Sequence, residues 1–198
     1  MRLAIIPGHG WRLRDDGRGP RWDPGAVGEV EEAEVVRRIA ERARQLAPDR
    51  VSVHDAAGAG GPGLRYRERH AAALAAVGRA PALIVHLHAN SAERPGDYPL
   101  ALHDPRSARG RGLAAAWAAA IDAARRSTPS LRGLSACQVR PATRPTWDRA
   151  ANLLEPTWSA PANVSAVLLE VGFVNQRLHA GIWTEEGVGA VAGTVIGL

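Results

Sequence analysis

Leu3-Ala4-Ile5-Ile6-Pro7-Gly8-His9-Gly10 is the stretch that decides the fold. Four apolar residues without alternation, cut off by Pro7-Gly8, read as a short strand buried on both faces. Such a strand belongs to a sheet covered by helices. Residues 10–28 hold glycine, proline and charge without periodicity and read as a loop. Across residues 31–46, Val36, Ile39, Ala40, Ala43 and Leu46 recur at helical spacing. Residues 50–54 read as a second strand, 56–63 as a loop, 64–77 as an alanine-rich helix and 81–88 as a third strand. A strand over 98–103, a helix over 112–126, a short strand over 138–140, a buried strand over 164–169 and a helical tail over 184–196 continue the alternation. Residues 141–163 are rich in proline and read as a functional loop. Strands alternating with helices imply a single α/β domain, with a mostly parallel central sheet flanked by helices.

Composition agrees. A chain of 198 residues suits about one domain, here spanning residues 1–198 with no separate binding module expected. Its 45% apolar and 23% charged residues match a globular protein and exclude disordered, collagenous and disulfide-scaffold classes. No apolar run approaches the roughly 18 residues of a membrane span, so membrane insertion is not expected. The opening run is too short for a signal-peptide core. The expectation is a chain that starts in the cytoplasm, or a trimmed mature periplasmic or extracellular domain. Cys137 is alone, which excludes an internal disulfide and a thiolate metal cluster, and it reads as a small buried hydrophobe. The net charge is +5 and all 25 cations are arginine, so the surface favours an anionic partner such as nucleic acid, a membrane surface or an acidic polymer. No basic stripe interleaved with aromatics points to nucleic acid.

In open α/β sheets, ligands bind beyond the carboxyl ends of the strands. The first expected strand delivers His9 there, the third delivers His86 and His88 on one face, and the late strand delivers Glu170. Two histidines and a carboxylate with one position left open are the pattern of a catalytic zinc site. A further carboxylate can accept a proton from the attacking water and pass it to a leaving amine. Taken singly, each histidine could merely cap a loop. Taken together, they point to a zinc amide hydrolase.

The run Ile5-Ile6-Pro7-Gly8-His9-Gly10, followed by Asp23-Pro24-Gly25-Ala26-Val27-Gly28, resembles the opening of the zinc-dependent N-acetylmuramoyl-L-alanine amidases of the amidase-3 type. Glu32-Ala33-Glu34-Val35-Val36-Arg37-Arg38-Ile39-Ala40 is similar to the family helix that starts with a glutamate. Leu64-Arg65-Tyr66-Arg67 with Ala71 and Ala72 resembles its arginine-marked helix. Val85-His86-Leu87-His88-Ala89-Asn90-Ser91-Ala92 resembles its histidine-alanine-asparagine strand end, and Val167-Leu168-Leu169-Glu170-Val171-Gly172-Phe173-Val174-Asn175 its catalytic-glutamate segment. The motifs run in order over almost the whole chain.

The resemblance implies a phosphorylase/hydrolase-like fold, zinc held by His9, Glu32 and His88, and Glu170 as the catalytic carboxylate. It implies peptidoglycan as substrate, cut between N-acetylmuramic acid and L-alanine. With no export signal read in the sequence, the expectation is a monomer of phage endolysin type that waits in the host cytoplasm until lysis, with a trimmed bacterial cell-separation or recycling enzyme as the alternative. Glu29, Glu31 and Glu34 lie within about a turn of Glu32, where acidic residues also favour a helix N-terminus. The resemblance implies Glu32, whose spacing to Ile39-Ala40 fits the family helix, with Glu31 as the alternative. His86 departs from the family's small polar residue and is open as a neighbour of the ligands, an alternative ligand or a pocket residue. The long segment from Trp11 to Trp22 is a second departure, and it reads as a wall or lid.

Asn90 reads as ordering the turn after its strand, Arg67 as anchoring its helix, and Arg140 as a candidate partner for an acidic group of the stem peptide. His54, His70, His103 and His179 read as surface or packing residues, and Trp147 and Trp158 as lid, core or sugar-stacking residues. Another zinc peptidase on the same scaffold, or a non-catalytic wall-binding module, are the alternatives.

Overall fold

The computed structural model describes residues 1–13, 20–55, 66–78, 81–93, 96–143, 148–154 and 163–198. The opening run forms β1 (Arg2–Pro7), which pairs in parallel with β4 (Val51–Val53) on one side and β5 (Ala82–Asn90) on the other. β8 (Val164–Phe173) extends the parallel sheet beyond β5. β6 (Leu100–His103) then runs antiparallel to β8, and β7 (Gln138–Pro141) pairs in parallel with β6 at the edge. The sheet order is β4-β1-β5-β8-β6-β7, mostly parallel as expected.

Side chains leave a strand alternately on its two sides. Leu3 and Ile5, with Val85, Leu87, Val167 and Leu169, meet α1 (Glu32–Leu46), α3 (Ala108–Ser127) and α5 (Glu185–Ile196). Ala4 and Ile6, with Ile84, Leu102 and Leu168, meet α2 (Tyr66–Val77) and α4 (Asp148–Leu154). Both faces are covered, which is why the strands read as unbroken apolar runs. The helices begin where the chemistry allows it. Ser107 caps α3 by accepting from the Gly110 amide, which starts that helix four residues earlier than expected, and Thr184 caps α5 in the same way through the Gly187 amide. Glu32 and Glu34 stand in the first turn of α1, where the helix dipole favours negative charge.

Three expectations change. Residues 10–28 contain an antiparallel hairpin, β2 (Gly10–Leu13) and β3 (Pro20–Asp23), rather than loop alone. Trp11 and Trp22 are register partners there, with rings 5.7 Å apart, a cross-strand pair that supports two very short strands. β5 and β8 also run on past residues 88 and 169, so His88 and Glu170 lie within strands as register partners of each other. The segment 141–163 contains α4. Leu64, Arg65, Trp147, Trp158 and the Arg67 side chain lie outside the described residues.

Cys137 is partly buried against the core, and burial together with the charge of Asp122 pushes its thiol up to about 12, as suits a packing residue. Among the described residues no helix is long and apolar enough to cross a membrane. Trp117 of α3 is fully buried and donates from Nε1 to Thr194 Oγ1 at 3.1 Å. Trp117→Ala should therefore lower the unfolding free energy by about 3–5 kcal/mol in urea titrations.

Candidate functional site

β1 ends at Pro7 and the chain turns at once through Gly8 and His9. His9 has φ +57°, a left-handed conformation that a residue with a side chain holds only when its surroundings impose it. Arg69 of α2 supplies the constraint. It is 2% exposed, and its Nη1 donates to the carbonyls of Pro7 (2.8 Å) and His9 (3.2 Å). The ring is held as well, with Nδ1 3.2 Å from Asp23 Oδ2 on β3 and Nε2 3.4 Å from Glu32 Oε2.

Glu32 is the hub. Its Oε1 lies 2.9 Å from His88 Nδ1 and accepts from the Ala89 amide at 3.1 Å, while Oε2 accepts from the Ala26 amide at 2.9 Å. Glycine makes the approach possible. A Cβ on Gly8 would stand 2.4 Å from the His88 ring, and one on Gly25, at φ +69°, 2.6 Å from both Glu32 Oε2 and the His9 ring. Burial disfavours the Glu32 charge, but the hydrogen bond and field of His88, the field of His9 and the Ala26 amide outweigh it and hold the carboxyl below its usual range. The same pairing raises His88 against its own burial penalty, helped by the charge of Glu170.

Glu170 stands on β8 opposite His88. Burial pushes its carboxyl up to about 7, opposed by the field of His88 and reinforced by that of Glu32. Its Oε2 and the Nε2 of His88 are buried without a hydrogen-bond partner. Such atoms mark a site that something beyond the chain completes.

His9, Glu32 and His88 each offer a ligand atom, and these atoms lie within 4.8 Å of one another. The group could hold a metal ion. Tetrahedral zinc with bonds near 2.0–2.1 Å separates neighbouring donors by about 3.4 Å, the spacing between His9 Nε2 and Glu32 Oε2. The contact of His9 Nδ1 with Asp23 is the usual outer partner of a metal-binding imidazole. The donor set therefore fits zinc.

No family model matches the chain, and no curated protein matches it. Solved structures do. The catalytic domain of CwlV, an N-acetylmuramoyl-L-alanine amidase from Bacillus (Paenibacillus) polymyxa var. colistinus, superposes with a TM-score of 0.67 at 19% identity, covering 99% of this chain and 94% of that one. The N-acetylmuramoyl-L-alanine amidase AmiC2 of Nostoc punctiforme gives 0.67 at 17% identity over 99% and 93%. The catalytic domain of the CD27L endolysin targeting Clostridia difficile gives 0.60 at 18% over 99% and 94%. The chain has the fold of these amidase catalytic domains. At such identities the likeness is one of fold.

The other sequence candidates separate on this scaffold. Glu31 is turned away, accepting from Trp22 Nε1 at 2.8 Å, so Glu32 is the carboxylate brought to the histidines. His86 is fully buried two residues before His88 and stacks on His70 of α2, with centroids 5.3 Å apart, so it is not gathered into the metal-capable group. Burial, with the fields of His70, His88 and Arg69, holds His86 well below the ordinary imidazole range. The Asn90 carbonyl accepts from the Val174 amide beside an irregularity in the β5–β8 pairing, a role in backbone order. Arg140 is exposed on the edge strand β7, donates to Gln138 Oε1 at 3.1 Å and pairs in register with Leu102, so the structure does not bring it to the metal-capable group. His54 lies 2.9 Å from Ser52 Oγ, and His103 and His179 are buried, His179 accepting from the Phe173 amide.

Two residues escape sequence reasoning. Asp23 is brought back to His9 by the hairpin, which no spacing announces. Arg69 could have been found, because Arg69, Ala73 and Val77 recur every four residues as a buried stripe of α2. Asp23→Ala should weaken zinc binding about 10- to 100-fold in competition titrations against a chelator.

Proposed function

We propose that this protein is a zinc-dependent N-acetylmuramoyl-L-alanine amidase, which hydrolyses the amide between the lactyl group of N-acetylmuramic acid and L-alanine in peptidoglycan. The observation that carries this reading is the convergence of His9, Glu32 and His88 beside Glu170, on a fold shared with the CwlV and AmiC2 amidases. His9, Glu32 and His88 would hold the metal, which when bound supplies Lewis acidity and an acidified water. Asp23 orients the His9 ring and Arg69 holds its backbone, so the ligand set is in place before substrate arrives. Glu170, with its carboxyl near neutrality, is suited to take a proton from the attacking water and to deliver it to the departing L-alanine nitrogen.

The setting we propose is a monomeric lysin acting on the wall, with no nucleic-acid partner. Likeness to an endolysin catalytic domain supports it, and the net charge of +5 favours encounter with anionic wall polymers.

Digestion of purified peptidoglycan should release new L-alanine amino termini without new reducing sugar, stop on chelation and resume when zinc is restored. Cleavage elsewhere in the stem peptide would make the protein a peptidase, and wall binding without cleavage a binding module. Glu170→Ala should keep zinc and lose turnover by about 10²–10⁴-fold. His88→Ala should lose both zinc and activity. Normal turnover by either variant overturns the site assignment.

A further inference from the structure

We propose that the β2–β3 hairpin is a sugar-binding wall, on which Trp11 and Trp22 receive an N-acetylated pyranose of the glycan strand beside the metal-capable group. The inference rests on the amidase reading and names the part of that substrate which the hairpin holds. The hairpin springs from the site itself, because its first strand follows His9 and its second ends at Asp23, the residue in contact with His9. Trp22 is fixed, its Nε1 bonded to Glu31 at the start of α1, and Trp11 leans on it at an interplanar angle of 67°. Trp11 is 45% exposed. A large rigid indole face open to solvent beside the metal-capable group is a surface a ligand can stack on.

The two indoles line a cleft with His9, and Arg37 and Asp55 also line it. Those surfaces match one ligand chemistry. The C–H face of a pyranose suits an indole, and a donor and an acceptor suit its hydroxyls and N-acetyl carbonyl. The cleft is also continuous with the reaction site, since His9 belongs to both. A muramic acid ring seated there carries its lactyl arm, and so the scissile amide, on the side of His9.

The test uses the zinc-loaded full chain, a disaccharide-bearing muropeptide, and the same lactyl-peptide without sugar. Trp11→Ala should raise KM for the sugar-bearing substrate about fivefold or more beyond any change on the sugar-free one. Trp11→Phe, which keeps an aromatic face, should recover most of the difference. Wild-type protein should bind peptide-stripped glycan strands in intrinsic-fluorescence titrations, and Trp11→Ala should weaken that binding by a similar factor. Equal shifts on both substrates, or none on either, overturn the wall and leave the cleft to the peptide or to structure. If the wild type cleaves neither substrate, the amidase reading fails by itself, and the glycan titration still decides whether the tryptophans bind sugar.

Discussion

The structure turns on one buried carboxylate. Glu32 is 3% exposed, and an isolated charge at that depth costs several kcal/mol. It is tolerated because the two oxygens meet four partners from three parts of the chain: His88 and the Ala89 amide on β5, the Ala26 amide in the segment before α1, and His9 after β1. The same carboxylate thus joins the first helix to two central strands and collects the histidines a metal needs. Fold and chemistry share one interaction, so what weakens one weakens the other.

Around that hub the fold supplies rigidity and access in different places. His88 and Glu170 sit inside paired strands, where register sets their positions and where they face each other across a strand boundary. His9 sits on a turn and needs outside support, which Arg69 gives to its backbone and Asp23 to its ring. Gly8 and Gly25 leave out the side chains that would occupy the space of His88 and Glu32. Burial opposes the charge on both carboxylates, and their partners divide them. Glu32, paired with histidine, stays ionised below its usual range, whereas Glu170, with an unpaired oxygen, is pushed toward neutrality. Pushing two nearby carboxyls apart in this way separates a ligand from an acid–base group.

The hairpin shows the limit of periodicity as a signal. Gly10–Leu13 and Pro20–Asp23 are too short for an alternation to declare itself among glycine, proline and charge. Their pairing brings together Trp11 and Trp22, eleven positions apart, a contact that becomes visible only when the two strands meet.

Local sequence was enough for much else. Unbroken apolar runs at Leu3–Ile6 and in β5 and β8 are what strands covered on both faces require, and the stripe from Val36 to Ala43 is what a helix packed on such a sheet requires. Those patterns set the α/β order and carried His9, His88 and Glu170 toward one end of the sheet. Composition left Glu31 as an alternative to Glu32, which likeness to the family helix favoured, and it left His86 beside His88 with the same chemistry. Tertiary structure separated them, because helix phase sends Glu32 inward and Glu31 to Trp22, and because depth in the sheet puts His86 against His70 instead of the ligands. Asp23 belongs wholly to that second category, and so do the partners of Arg69, whose helical stripe is legible in the sequence but whose reach to Pro7 and His9 is not. Their roles depend on distances between elements far apart in the chain, and a one-dimensional pattern contains periodicity but no such distance.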